Sequence, residues 1–162
     1  MKAYYFKDKI HSLQELISKV EELRGDNKKI VFTNGCFDII HRGHVSYLSE
    51  AAALGDFLIV GVNSDSSVQR LKGKNRPLQD ETSRAEILAA LECVGAIVIF
   101  SEDTPIELIK AIRPDVLVKG GDYSVDTVVG AQEVLDGGGS VELLSFLPGY
   151  STSSIEDKIK GN

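Results

Sequence analysis

The segment Thr33-Asn34-Gly35-Cys36-Phe37-Asp38-Ile39-Ile40-His41-Arg42-Gly43-His44 holds two of the three histidines in the chain, three residues apart. On a helical turn that spacing puts both imidazoles on one face. The segment follows the apolar run Ile30-Val31-Phe32 and precedes a helix-like stretch over residues 45–54. At a helix start the first backbone N–H groups lack partners and the helix dipole is positive. Phosphate is the natural guest there, and Gly43 lets it come close to the backbone. In phosphoryl or nucleotidyl transfer, charge gathers on the phosphorus oxygens. His41 and His44 are suitable fixed donors for those oxygens.

The same residues admit plainer roles. The two histidines can be a helix cap and a surface residue. A zinc site would have only Cys36 and Asp38 as further nearby ligands, and the spacing matches no common zinc motif. Cys36 could be a nucleophile with His41 as its base. A cysteine beside a strand end is more often a small packing residue.

The elements that must position these groups follow from periodicity. Apolar runs at 30–32, 57–62, 96–100, 116–118 and 141–144 read as five buried strands. Helical spacing appears over 12–23, 45–54, 80–91, 129–135 and 151–159, and Thr104-Pro105 opens another helix. Strands that are apolar throughout and alternate with helices imply a parallel sheet covered on both faces. The expected fold is a doubly wound, Rossmann-like α/β domain with a five-stranded parallel sheet. Residues 1–27 read as an N-terminal helical extension, and 28–162 as one compact domain.

Ligands of such sheets bind at the carboxyl ends of the strands. Four clusters fall there: the histidine turn, Asn63-Ser64-Asp65, Lys119-Gly120-Gly121-Asp122-Tyr123 and Tyr150-Ser151-Thr152. The paired glycines Gly120 and Gly121 allow close approach of a ligand, and Asp122 can accept hydrogen bonds from sugar hydroxyls. An ordinary strand-end turn has the same composition. Ser151 and Thr152 open a helix, where they can cap it or hold phosphates. Residues 72–79 read as a polar loop whose cations, Lys72, Lys74 and Arg76, suit a flexible cover over phosphates.

Composition narrows the function classes. The chain has 162 residues, 43% hydrophobic and 26% charged, as in a globular protein with a sizeable core. Its net charge of −6 argues against broad binding to nucleic acid or anionic membrane. No apolar run approaches the ~20 residues of a membrane span. Charge interrupts the N-terminus before any secretory h-region forms, so a cytoplasmic location is expected. Two cysteines, Cys36 and Cys93, are too few for a disulfide framework.

The segment 33–44 resembles the signature of the cytidylyltransferase-like nucleotidyltransferase superfamily. The likeness extends to Gly61-Val62-Asn63-Ser64-Asp65, to Lys72-Gly73-Lys74-Asn75-Arg76-Pro77 and to Ser151-Thr152-Ser153-Ser154-Ile155. It implies attack of a substrate phosphate on the α-phosphorus of a nucleoside triphosphate, with Mg2+ accompanying the triphosphate and pyrophosphate leaving. Val118-Lys119-Gly120-Gly121-Asp122-Tyr123 is similar to the version in heptose 1-phosphate adenylyltransferases, as are Arg76-Pro77, Glu102-Asp103-Thr104-Pro105 and Gly149-Tyr150-Ser151-Thr152. That branch implies ATP and D-glycero-β-D-manno-heptose 1-phosphate as substrates and ADP-heptose as product. Glycerol-3-phosphate cytidylyltransferases tend to carry an arginine before the last helix. Here that stretch is Phe146-Leu147-Pro148-Gly149-Tyr150-Ser151-Thr152-Ser153, without one. Ser153 also departs from the Ser-Thr-Thr form of the family.

The resemblance implies catalytic roles for His41, His44, Lys72 and Lys119. It implies nucleotide contacts from Thr33, Asn34, Gly35, Cys36, Phe37, Gly43, Asn63, Asp65, Tyr150, Ser151 and Thr152. Asp38, Arg76, Gly120, Gly121 and Asp122 would serve the sugar phosphate, Asp38 also ordering the turn. No residue is expected to ligate a resident metal, and a homodimer is expected. A cytidylyltransferase for a small phosphate ester and a non-catalytic nucleotide-binding regulator are the alternatives.

Overall fold

The computed structural model describes residues 5–121 and 124–161. Its strands are β1 (Ile10–His11), β2 (Ile30–Gly35), β3 (Phe57–Asn63), β4 (Ala96–Phe100), β5 (Val116–Gly120) and β6 (Ser140–Leu144). They form one parallel sheet in the order β1-β4-β3-β2-β5-β6. The Rossmann-like α/β class expected from the sequence holds, but the sheet has six strands instead of five. The extra strand is β1, which pairs with Ile97 and Val98 at one edge. Two residues are too few for an alternation to be read from sequence.

Side chains along β2 and β3 alternate between two cores. Ile30, Phe32 and Ile59 face one cluster with Leu16, Val20, Ile109, Ile112 and Val134. Those partners come from α1 (Leu13–Gly25), α5 (Ile106–Ile112) and α6 (Ala131–Asp136). Val31, Leu58 and Val60 face the other with Leu48, Ala51, Ala85 and Leu88, from α2 (Arg42–Ala52) and α4 (Glu81–Ala89). Two more helices, α3 (Asp65–Lys72) and α7 (Thr152–Lys160), stand at the carboxyl ends of the strands. The sequence left α3 unassigned because its buried residues are only Ser67 and Val68, so no apolar stripe shows.

α1 begins at a full capping box: Ser12 accepts from the Glu15 N–H, and the Glu15 carboxylate accepts from the Ser12 N–H. Leu16 and Val20 are fully enclosed, so this N-terminal helix packs into the core of the sheet. No helix among the described residues is long and apolar enough to cross a membrane.

The cleft arises from strand divergence. β2 pairs with β3 all the way from Ile30 to Gly35. Against β5 its pairing covers only Val31 and Phe32. Beyond those residues β2 and β5 part, and the chain leaves them toward opposite halves of the sheet. This is the topological switch point of a doubly wound sheet, where a crevice forms. Leu16→Ala should lower unfolding free energy in urea by about 2–5 kcal/mol, through one cooperative transition. A loss well below that range would show a loosely docked helix.

Candidate active site

The turn after β2 is held by a buried carboxylate. Asp38 accepts from the Leu78 N–H at 2.8 Å and from the Gln79 N–H at 2.9 Å. Arg76 Nε forms an ion pair with Asp38 Oδ2 at 2.7 Å, and Arg76 Nη1 pairs with Glu156 on α7. Burial pushes the Asp38 carboxyl up, but the Gln79 and Leu78 amides and the Arg76 charge outweigh it and hold it below the usual value. The side chain of Gln79 returns to the Asp38 carbonyl at 2.5 Å. Before Asp38, Phe37 takes the left-handed φ of 47°. Its ring folds over Gly35, where an added Cβ would lie 3.0 Å from it.

α2 starts at His41, whose Nδ1 accepts from the Gly43 N–H at 3.1 Å. In the neutral ring this leaves the proton on Nε2. The His41 and His44 rings stack with centroids 3.9 Å apart. Gly43 permits that stack, since a Cβ there would approach the His41 ring to 3.0 Å. Phe37 stands edge-on to His44 at 5.4 Å. Burial, then the nearby His41 and Lys72, bring His44 down to about 4. Burial also lowers His41. Both imidazoles are therefore neutral hydrogen-bonding groups at neutral pH.

Two adjoining cavities fill the cleft and share Asn34, Gly35, Cys36 and Lys119. One, about 280 Å³, reaches His44, Tyr47, Lys72, Phe146 and Thr152. The other, about 330 Å³, reaches Asn63, Leu71, Asp103, Thr104 and Pro105. Lys119 Nζ donates to Asn34 Oδ1 at 3.4 Å, and burial lowers its pKa. Gly120 keeps the first cavity open, because a Cβ there would lie 2.7 Å from the Phe146 ring. A larger cavity, about 370 Å³, lies at the opposite end of the strands beside Arg24 and Asp115. The Arg24 guanidinium there is engaged by the Ile112 and Arg113 carbonyls. Among the described residues, the strand-end cleft gathers His44, Lys72 and Lys119 beside the start of α2.

Most residues expected from the sequence converge on this cleft. Asn34, Gly35, Cys36, Phe37, Asp38, His44, Lys72, Lys119, Gly120 and Thr152 line the first cavity, and Asn63 lines the second. His41 and Gly43 form the adjoining helix start. Ser151 caps α7 by accepting from the Ser154 N–H. Tyr150 is tied outward, accepting from Arg42 at 2.9 Å.

Several expected side chains also have partners of their own. Thr33 is fully enclosed and its hydroxyl pairs with that of Tyr47 at 2.6 Å. Asp65 points at Arg84, 2.8 Å away. The Asp38 and Arg76 side chains engage each other, so Arg76 pins the polar loop instead of riding a free one. Gly121 N–H donates to the Leu144 carbonyl. Asp122 lies outside the described residues. The sequence reading overlooked Arg84, fully buried beside Ala85 and Leu88 on α4. An arginine on the apolar face of a helix was the available signal. Tyr47 and Phe146 were also overlooked, as aromatic residues look like core in a sequence.

In the window from the ordinary histidine value down to about 4, the unfolded chain binds a proton that folded His44 refuses. Stability therefore falls as pH drops through that window. A proton NMR titration should place the His44 midpoint near 4. His44→Gln should flatten the loss of stability between ~6.5 and the lowered value. A midpoint at the ordinary value would remove the buried setting.

The cytidylyltransferase-like family model matches residues 32–155. The bifunctional protein HldE of Geobacter metallireducens is 56% identical over 151 residues, which are 93% of this chain and 31% of that protein. HldE of Helicobacter pylori is 52% identical over 152 residues, 94% of this chain and 31% of its own length. The chain thus spans about a third of the length of these curated relatives. Among solved structures, a lipopolysaccharide core biosynthesis protein of Thermoplasma volcanium matches with TM-score 0.59 and 30% identity, over 74% of this chain and 97% of that one. A pantoate-beta-alanine ligase of Francisella tularensis, complexed with beta-gamma ATP and beta-alanine, matches with TM-score 0.62 over 93% of this chain and 76% of that one. Its identity of 16% speaks to the fold alone. The family match spans both the histidine turn and the start of α7. The chain belongs to the cytidylyltransferase-like family.

Proposed function

We propose that this chain transfers AMP from ATP to D-glycero-β-D-manno-heptose 1-phosphate, giving ADP-heptose and pyrophosphate for a heptose-containing surface glycan. One observation carries the reading. His44 of the stacked histidine pair and Lys119 line one cavity, and Lys119 also lines the cavity that adjoins it, so phosphate-binding groups flank a cleft with room for two ligands. The identity to HldE proteins and to a lipopolysaccharide core biosynthesis protein supports the choice of sugar. ATP as the proposed donor supports a cytoplasmic location for the reaction.

In this reading the triphosphate occupies the cavity of His44, Lys72 and Thr152. The nucleoside extends into the neighbouring cavity beside Asn63, and the acceptor phosphate approaches the triphosphate beside Gly120 and Lys119. An acceptor oxygen bonds to the α-phosphorus, and the bond from that phosphorus to the bridging oxygen breaks. The electron pair leaves with pyrophosphate. The attacking phosphate is already anionic, so no general base is needed. The chain contributes positioning and charge neutralisation. His41 and His44 donate from neutral rings to the α-phosphoryl oxygens, and Lys119 and Lys72 supply positive charge. Among the described residues no group of His, Cys, Asp and Glu converges as a metal site. The donor set suits magnesium that enters as MgATP, held by phosphate oxygens and water.

The test is pyrophosphate release with ATP or CTP against a panel of sugar and polyol phosphates. ATP with the heptose 1-phosphate should give the highest kcat/KM. Release with CTP alone would move the assignment to a cytidylyltransferase, and no release with any pair would indicate a regulator. His41→Ala and His44→Ala should each lower kcat by about 10²- to 10³-fold. Lys72→Ala should lower turnover while leaving the unfolding transition unchanged. Wild-type steady-state constants in that variant would make Lys72 a solvated surface charge.

A further inference from the structure

We infer that Arg84 is a positioning residue for the transfer: it holds the Cys36–Phe37 peptide so that its N–H, and not its carbonyl, faces the substrate phosphate. The inference rests on the proposed nucleotidyl transfer and deepens it. The Arg84 side chain is 0% exposed and reaches three separate segments. Nη1 donates to the Cys36 carbonyl at 2.6 Å, Nε to the Gln79 carbonyl at 3.0 Å, and Nη2 to Asp65 Oδ1 at 2.8 Å. Asp65 is itself fixed, because its N–H donates to Glu81 Oε2 at 2.8 Å.

The consequence for the turn is geometric. In a trans peptide the carbonyl and the N–H point in opposite directions, and among the described residues the one cis bond is Arg76–Pro77. Arg84 draws the Cys36 carbonyl back beneath the turn. The Phe37 N–H then points the other way, toward the cavity that Cys36 and Phe37 line with His44. Among the described residues no backbone carbonyl accepts from that N–H. Phe37 also has a left-handed φ of 47°, which a bulky L-residue keeps only when its surroundings impose it. Without Arg84 the peptide could rotate and present a carbonyl oxygen to an anion.

Only a guanidinium suits the position. Its planar fork donates in several fixed directions at once. A lysine nitrogen could not reach all three acceptors, and an apolar residue would leave a buried carbonyl unpaired.

The test uses the full chain with phenylalanine amides labelled with ¹⁵N, the Phe37 signal being assigned through Phe37→Tyr. Inorganic pyrophosphate should move the Phe37 amide resonance in the wild type and far less in Arg84→Lys. In pyrophosphate-release assays Arg84→Lys should lose about 10- to 100-fold in kcat, with KM for the sugar phosphate nearly unchanged. A purely structural defect would reduce the amount of folded enzyme and leave the Phe37 response of the folded fraction intact. An unchanged kcat, or a Phe37 amide that responds alike in both proteins, overturns the assignment. If Arg84→Lys does not fold, Asp65→Asn, which frees one end of the guanidinium, carries the same test with the same outcomes. Should the wild type release no pyrophosphate from any pair while Phe37 still responds only in the presence of Arg84, the transfer reading fails and the positioning role stands.

Discussion

The shape of the cleft depends on one buried carboxylate, Asp38. Its oxygens take the Leu78 and Gln79 amides and the Arg76 charge, and these three groups belong to a loop some forty residues further along the chain. An unpaired buried carboxylate is costly, so the turn and the loop stabilise each other or neither holds. The network continues outward. Arg76 reaches Glu156 on α7, the helix whose first residue is Thr152. Gln79 offers its carbonyl to Arg84, which binds the carbonyl just before Phe37. The histidine turn, the polar loop, the start of α3 and the body of α7 are thereby referred to one another through side chains.

Above that network the sheet supplies space and the helix start supplies direction. β2 and β5 separate after Phe32, so Asn34 and Lys119 face a gap where a further pair of ladder residues would otherwise stand. The positions nearest the gap lack side chains where a side chain would close it. A Cβ on Gly120 would meet Phe146 and Tyr47, and one on Gly43 would break the imidazole stack. Gly43 and Gly120 thus have packing reasons as well as room for a ligand.

The sequence disclosed the sheet and the cleft more fully than the roles within it. Runs such as Phe57–Val62 are apolar on both faces, which is enough to name a buried parallel strand and to say where its carboxyl end lies. Alternation along β2 explains where Thr33 and Asn34 lie. Thr33 shares the parity of Val31, so it faces α2 and meets Tyr47, while its neighbour Asn34 reaches the cleft. A signature segment read residue by residue hides that parity. Asp38 and Arg76 stand far apart in the chain, and composition carries no information that they pair. Arg84 was legible only as an anomaly, a charge at a position where the spacing of Ala85 and Leu88 calls for an apolar residue. β1 and α3 escaped notice because two residues carry no period and Ser67 buries without looking apolar.

The electrostatics of the cleft divide charge from direction. In a chain of net charge −6, an anionic substrate meets an unfavourable overall field, so attraction must be local. Lys72 and Lys119 lie in the cleft to provide it. The histidines do not add to that charge, since burial lowers the pKa of both rings and the nearby His41 and Lys72 lower His44 further. A neutral imidazole whose Nδ1 is already engaged by a backbone N–H, as His41 is by Gly43, presents a single fixed donor. Such a donor favours the geometry in which phosphorus oxygens gather charge, and it holds departing pyrophosphate less firmly than an imidazolium would. The burial that keeps these rings neutral therefore serves the proposed reaction directly: at His41 it exchanges non-directional attraction for a fixed hydrogen bond at the site where direction matters.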